Sequence, residues 1–272
     1  LYNISDSVKV FRTKTKTVVK MNELSSRISE WIRERVMEAG AKGVVLGMSG
    51  GLDSSVTAIL CKNAFPDTTL GLILPCFSSK EDVEHAKMVA NKFGIETKEI
   101  ELSSAFKTLF GVLEEREYDV EIKGNREKDI AVANLKPRLR MICLYYFANK
   151  LNYLVVGTGN KSELAIGYFT KYGDGAADIL PLGDLLKTEE RSLAEELDIP
   201  KEMIEKVPSA DLWKGQTDES EIGMSYDVLD KIILALESGA LSGCDPELVA
   251  IVKRMMEASR HKRELIPIFK KV

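Results

Sequence analysis

The sequence predicts an α/β fold, a doubly wound parallel sheet with helices on both faces and a helical C-terminal extension. Short apolar runs alternate with helical patterns across residues 22–160. Runs that are apolar throughout read as strands buried on both faces, which is the habit of parallel sheets. Their β-α-β-α-β-α-α-β order needs crossover connections, and these make neighbouring strands parallel.

Each element has its own signal. Residues 22–40 place Leu24, Ile28, Trp31, Ile32 and Val36 at helical spacing, and Gly40 ends the pattern. KGVVLGM (42–48) reads as the first strand, Asp53–Ala64 as a helix stopped before Pro66, and TLGLILP (69–75) as the second strand. Residues 80–94 are amphipathic and close on Gly94; IETKEIEL (95–102) alternates as a third strand; 103–115 reads as a helix. Residues 117–125 are irregular. Residues 126–150 form one long helical pattern with Pro137 inside it, where a proline removes a hydrogen bond and kinks the helix. LNYLVVGTGN (151–160) is a fourth strand ending in glycines, and 167–186, rich in Gly and Asp, reads as a functional loop. The last third, 187–272, is helical, broken by Pro200, Pro208 and a polar stretch at 214–223. At roughly 150 residues per domain, 272 residues allow one large or two small domains. Nothing near residue 165 resembles a linker. The expected organisation is a tail over 1–21, upstream of a possible natural start at Met21, and one domain over 22–272.

Composition excludes several classes. The net charge is −4, with 44% hydrophobic and 29% charged residues, so no global basic surface for nucleic acid is indicated. No apolar run approaches the ~20 residues of a membrane helix. The four cysteines, Cys61, Cys76, Cys143 and Cys244, form no CxxC, and with two histidines a Cys/His zinc site is close to excluded. Sparse thiols and the lack of a signal-peptide pattern point to a cytoplasmic protein.

The strongest chemical signal is GMSGGLDSS (47–55), directly after a strand and opening a helix. Glycines allow close backbone approach to an anion, and a helix N-terminus offers free N–H groups. Asp53 alone would repel phosphate; two unit charges ~4 Å apart cost about 4 kcal/mol at a dielectric near 20. A bound Mg²⁺ reverses that sign, so the motif reads as a Mg-pyrophosphate site. It lacks the GK[ST] of a Walker loop. GTGNKS (157–162) could pass for a dinucleotide fingerprint, but it closes the sheet instead of opening it.

SGGLDS resembles the PP-loop of the N-type ATP pyrophosphatases, which activate an acceptor as an adenylate. GTGNKSE, YFTKYGDGAADI and PLGDLLKT within 155–188, KVPSADLWKGQTDESEIG (206–223), NLKPRLRMICLYY (134–146) and HKR (261–263) resemble the NAD synthetase family. The likeness spans about 22–263 and implies an adenine nucleotide alpha hydrolase-like fold. Only ~40 residues precede the first strand, too few for the amidase domain of glutamine-dependent members. The resemblance therefore implies the ammonia-dependent reaction: deamido-NAD, ATP and ammonia give NAD, AMP and pyrophosphate through a nicotinyl adenylate.

By the same resemblance, ATP falls on Gly47, Met48, Ser49, Gly50, Gly51, Leu52, Asp53 and Ser54, with Thr158, Lys187 and Ser209. Mg²⁺ falls on Asp53 and Glu163. Deamido-NAD falls on Arg138, Lys171, Asp178, His261 and Lys262. Asp53, Lys187 and Asp178 are the expected catalytic residues, with Asp178 or Asp174 holding ammonium and taking its proton. Pro137, where the family more often has a small residue, is expected to disturb the aim of Arg138 and Arg140. A homodimer with deamido-NAD partly across the interface is implied, the long 126–150 helix being apolar on more than one face. Two other readings stand beside this one: another PP-loop adenylating amidotransferase or tRNA-modifying enzyme, and an ATP-binding regulatory module without turnover.

Overall fold

The computed structural model describes residues 21–118, 129–213 and 215–271. The expected tail over 1–20 and most of the irregular 117–125 segment, with the start of the following helix, lie outside the described residues.

Four strands, β1 (Gly43–Gly47), β2 (Thr69–Ile73), β3 (Glu96–Glu99) and β4 (Tyr153–Val156), form a parallel sheet in the order β3-β2-β1-β4. Alternation along β1 sends Val44 and Leu46 to one face and Val45 to the other. On the first face pack α1 (Met21–Glu38), α2 (Leu52–Ala64), α3 (Lys80–Phe93), α8 (Lys187–Glu196) and α9 (Lys201–Ile204). On the second face pack α4 (Ser103–Glu114) and α6 (Leu135–Leu151), around Phe106, Phe110 and Ala148. The sheet is therefore doubly wound, as its residue pattern predicts. The β1–α2–β2–α3–β3 run covers one face and the return to β4 covers the other, so the strand order reverses between β1 and β4. Such a reversal opens a crevice at the strands' carboxyl ends, where ligands of this architecture bind.

A third core, built on Tyr226, Leu229, Ile232 and Ile233, joins α7 (Lys161–Ile166) to α11 (Tyr226–Ser238) and α12 (Pro246–Ala258). The polar stretch expected to interrupt the C-terminal helices holds α10 (Asp218–Ile222), capped by Thr217. α13 (Arg260–Arg263) follows α12.

The long helix around Pro137 departs from expectation. Its described part begins as α5 (Ile130–Ala133), and α6 starts after Asn134, which puts Pro137 in the first turn of α6. First-turn N–H groups have no intrahelical acceptor, so proline removes nothing there and no interior kink arises. Among the described residues no helix is long and apolar enough to cross a membrane.

Candidate active site

The crevice between the ends of β1 and β4 is a cavity of about 670 Å³. Its floor is the loop between β1 and α2. Gly50 takes φ +77°, and a Cβ there would lie 2.1 Å from the Asp82 carbonyl oxygen, so only glycine lets α3 close on this turn. The loop serines satisfy one another. The Ser49 N–H donates to Ser54 Oγ at 3.2 Å, the Gly51 N–H to Ser49 Oγ at 3.2 Å, and the Ser55 hydroxyl to the Gly51 carbonyl at 2.7 Å. This fixes the turn at the N-terminus of α2, where the helix dipole favours an anion.

A buried charge cluster stands beside the loop. The Lys187 ammonium, 3% exposed at the start of α8, makes a short ion pair with Asp53 and lies 3.8 Å from both Glu163 Oε1 and Glu190 Oε2. Three elements meet here: α2 brings Asp53, α7 brings Glu163, and α8 brings Lys187 and Glu190. Burial alone would lower the Lys187 amine, but the carboxylates of Asp53, Glu190 and Glu163 outweigh it and hold the ammonium well above its ordinary value. Burial alone would raise the Asp53 carboxyl, but the Lys187 charge wins and holds it low. Glu163 and Glu190 are pushed well up, first by burial and then by the Asp53 charge. Glu163 divides its oxygens: Oε2 accepts the Asn160 N–H at 3.3 Å in a capping box, while Oε1 faces Lys187. Glu190 accepts from Asn160 Nδ2 at 3.2 Å through Oε2, and its Oε1, buried, has no partner.

The other expected nucleotide contacts also reach the cavity. Thr158 lines it beyond β4, and Ser209 lines it from the segment after α9, its hydroxyl donating to the Gln216 carbonyl at 2.8 Å. Arg138, Lys171, His261 and Lys262 border it as well. The two lysines already hold backbone: Lys171 Nζ donates to the His261 carbonyl at 2.6 Å, and Lys262 Nζ to those of Gly167 and Phe169 at 2.8 and 2.7 Å. Asp174 faces both the main cavity and a small adjoining one of about 40 Å³, shared with Thr158, Glu163 and Phe169. Asp174 is exposed as a residue and accepts the Thr170 N–H at 3.0 Å; the protein packed around its carboxyl raises it from its ordinary value, against that hydrogen bond and the Arg140 charge.

Asp178, exposed like Asp174, does not border the cavity; it accepts the Val155 N–H at 2.7 Å and the Tyr145 hydroxyl at 3.2 Å. Two residues that sequence reasoning missed belong to the site, Glu190 behind Lys187 in the buried cluster and Lys206 on the cavity wall. Glu190 follows Lys187 by three positions in KTEE, a spacing that places both on one helix face. Lys206 donates to the Gly50 carbonyl at 3.1 Å and pairs with Asp82, tying the start of the PSADL segment to the loop. Its only sequence signal is its place at the head of that motif.

Among families of known proteins, the model described as NAD synthase matches residues 24–266. An NH(3)-dependent NAD(+) synthetase of Carboxydothermus hydrogenoformans is 45% identical over 247 residues, covering 91% of this chain and 97% of that protein. The solved structure of NMN synthetase from Francisella tularensis has a TM-score of 0.82 at 33% identity, covering 93% of this chain and 100% of that one. The NH3-dependent NAD synthetase of Campylobacter jejuni, in complex with the nitrate ion, has a TM-score of 0.76 at 30% identity over the same shares.

Proposed function

The chain belongs to the NAD synthase family, and from that premise we propose how its cleft divides the family's chemistry. The reaction is the ATP-dependent amidation of deamido-NAD by ammonia, forming the carbon–nitrogen bond of NAD. The observation that carries the assignment of roles is Lys187, buried against Asp53 and Glu163 beside the loop at the reversal of the sheet.

Both reactants are anions, since a nicotinate carboxylate must reach the α-phosphate of ATP. Lys187 offsets that repulsion in a site where water screens little. The Ser49–Ser54 loop, whose Ser49 and Gly51 N–H groups brace the turn, holds the departing pyrophosphate at the N-terminus of α2; Thr158 and Ser209 hold the nucleoside part. Arg138, Lys171, His261 and Lys262 shape the acceptor's end. The carboxylate oxygen bonds to the α-phosphorus as the bond to pyrophosphate breaks. Ammonia then attacks the carbonyl carbon of this adenylate, AMP leaves, and the proton shed by ammonium passes to a base. Asp174 suits that base, with its raised affinity for protons and a cavity beside it the size of one small molecule.

The residues present fit Mg²⁺. The carboxyl groups of Asp53, Glu163 and Glu190 converge on one ammonium, and burial with the Asp53 charge pushes Glu163 and Glu190 up, so a cation entering among them would take the place of the protons they retain. Mg²⁺ takes one or two protein carboxylates and completes its shell with phosphate oxygens and water. Asp53 and Glu163 would hold it, and there it would neutralise phosphate charge and stabilise the leaving pyrophosphate. We further propose a cytoplasmic homodimer that pairs through α6.

The test is product analysis with ATP, Mg²⁺ and ammonium, or glutamine in its place, using deamido-NAD or nicotinate mononucleotide as acceptor. NAD and AMP are expected from deamido-NAD with ammonium, and none with glutamine. The likeness to NMN synthetase favours one second reading; preferred turnover of the mononucleotide would replace the acceptor and keep the chemistry. In the same assay Asp174→Asn is expected to release pyrophosphate without matching NAD. Unaltered NAD formation by that variant would remove Asp174 from the ammonia step.

A further inference from the structure

Asp230, in the middle of α11, is 2% exposed, and among the described residues no cationic side chain lies within ion-pair distance of it. A buried carboxylate without a counter-ion is costly unless fully hydrogen-bonded. Its bonds all lead to the ATP site. The Ser162 hydroxyl donates to Oδ1, and the Thr188 N–H donates to Oδ2 at 2.9 Å. The same Ser162 oxygen accepts the Lys187 N–H at 2.9 Å. Leu186, at the N-cap of α8, makes no side-chain cap bond, so Asp230 and Ser162 cap that helix from outside, with the carboxylate at its positive pole.

One turn earlier on α11, on the same face, is Tyr226, 0% exposed. The Lys187 ammonium lies 5.4 Å from the centre of its ring, and its hydroxyl donates to Asp218 Oδ2 at 3.0 Å. α11 thus grips Lys187 at both ends: through Asp230 and Ser162 at the backbone nitrogen, and through Tyr226 at the ammonium. Ser162 also immediately precedes Glu163, so the same hydroxyl anchors the first turn of α7.

We propose that Asp230 and Tyr226 are positioning residues, through which α11 sets the place of the Lys187 ammonium against Asp53 and Glu163. The inference rests on the role given to Lys187 above. It assigns the C-terminal helices a part in adenylation, although neither residue need touch substrate.

Misplacing a catalytic group by about 1 Å costs on the order of 100-fold. Asp230→Asn keeps the shape but turns an N–H towards Ser162 or Thr188, and kcat is expected to fall about 30-fold on that scale. The KM for deamido-NAD should stay within about twofold, because the acceptor's end is untouched. Ser162→Ala and Tyr226→Leu should act in the same direction. The deciding measurement is a double-mutant cycle in pyrophosphate release, with thermal melts confirming folded protein. If Asp230 acts through Lys187, adding Asp230→Asn to Lys187→Ala should cause little further loss. An equal loss in both backgrounds, or an unchanged kcat in folded Asp230→Asn, overturns the proposal. Full turnover by Lys187→Ala alone would instead overturn the role of Lys187. Should Asp230→Asn not fold, the Ser162→Ala and Tyr226→Leu cycles with Lys187→Ala decide by the same criterion.

Discussion

Glu190 shows what burial does to one residue. In sequence it is one acid in a helix rich in them, and only the packing of α8 against α1, α2 and α11 makes it a fully buried partner of Lys187. Its carboxyl and that of Glu163 are pushed well above the ordinary value by burial and then by Asp53. Without ligand the folded chain therefore retains protons that the unfolded chain has lost. Stability is fullest below the unfolded value of 4.5 and declines as pH rises through the raised folded values. Asp53 works in the opposite sense, but its window lies below 3.8 and leaves that decline intact. Glu190→Gln should keep an acceptor for Asn160, remove one of the repelling charges and raise the melting temperature at pH ~8. A gain of about 1 kcal/mol would be about 2–4 °C at this size. Melting curves that coincide with the parent's at both pH ~5 and pH ~8 would show that Glu190 carries no such penalty. Asp53, Glu163 and Lys187 were legible because motifs mark them; Glu190 and Asp230 were not, because a polar residue's burial is decided by distant elements.

At the scale of elements, the alternation of strands and helices was legible because parallel strands are apolar on both sides. Val44, Val45 and Leu46 are all fully buried, whichever face they serve. The edge strand β3 was legible by alternation, although all four of its residues are exposed. The break at Asn134 was not legible, since apolar spacing runs through it. A tertiary bond marks it instead: the Thr170 hydroxyl donates to Asn134 Oδ1 at 2.6 Å. The break changes the expected cost of Pro137. In a helix interior a proline costs ~3 kcal/mol or more. In the first turn it costs little, so Pro137→Ala should change stability by less than about 1.5 kcal/mol, mainly through lost ring packing. Met141→Pro, one turn further on, should cost the full interior penalty. Denaturant unfolding of both variants tests the boundary, and a gain of about 3 kcal/mol from Pro137→Ala would place Pro137 in the interior after all. The aim of Arg138 is set by this first turn, where its guanidinium reaches the Lys171 carbonyl.

At the scale of the whole molecule, the proposed pairing rests on α6, which leaves large apolar side chains exposed. Its second-face side packs on β1 and β4, yet Ile142 and Tyr146, one turn apart, are 58% and 59% exposed. Four residues before Ile142, and so on the same stripe, Arg138 borders the cavity. The apolar stripe therefore runs outward from the acceptor's end of the cleft. Tyr145 on the same helix holds Asp178, the expected acceptor contact that stands outside its own cavity, and burial with the Asp178 charge pushes that phenol up to about 12. A second copy seated on α6 would cover Ile142 and Tyr146 and bring Asp178 near the boundary between two clefts, which would account for its matching a substrate motif without lining its own cavity. A stable pair needs roughly 800 Å² from each partner, so one charge at the centre of this stripe should break it. Ile142→Glu and Tyr146→Glu are each expected to sediment as monomers at concentrations where the parent is a dimer. Their KM for deamido-NAD should rise about tenfold, equivalent to 1.4 kcal/mol, with a smaller change for ATP, whose proposed contacts at the loop and Lys187 do not include α6. A parent that sediments as a monomer at micromolar concentration would refute the pairing. Dimeric variants with unchanged KM would move the interface elsewhere and leave Asp178 a structural partner of β4.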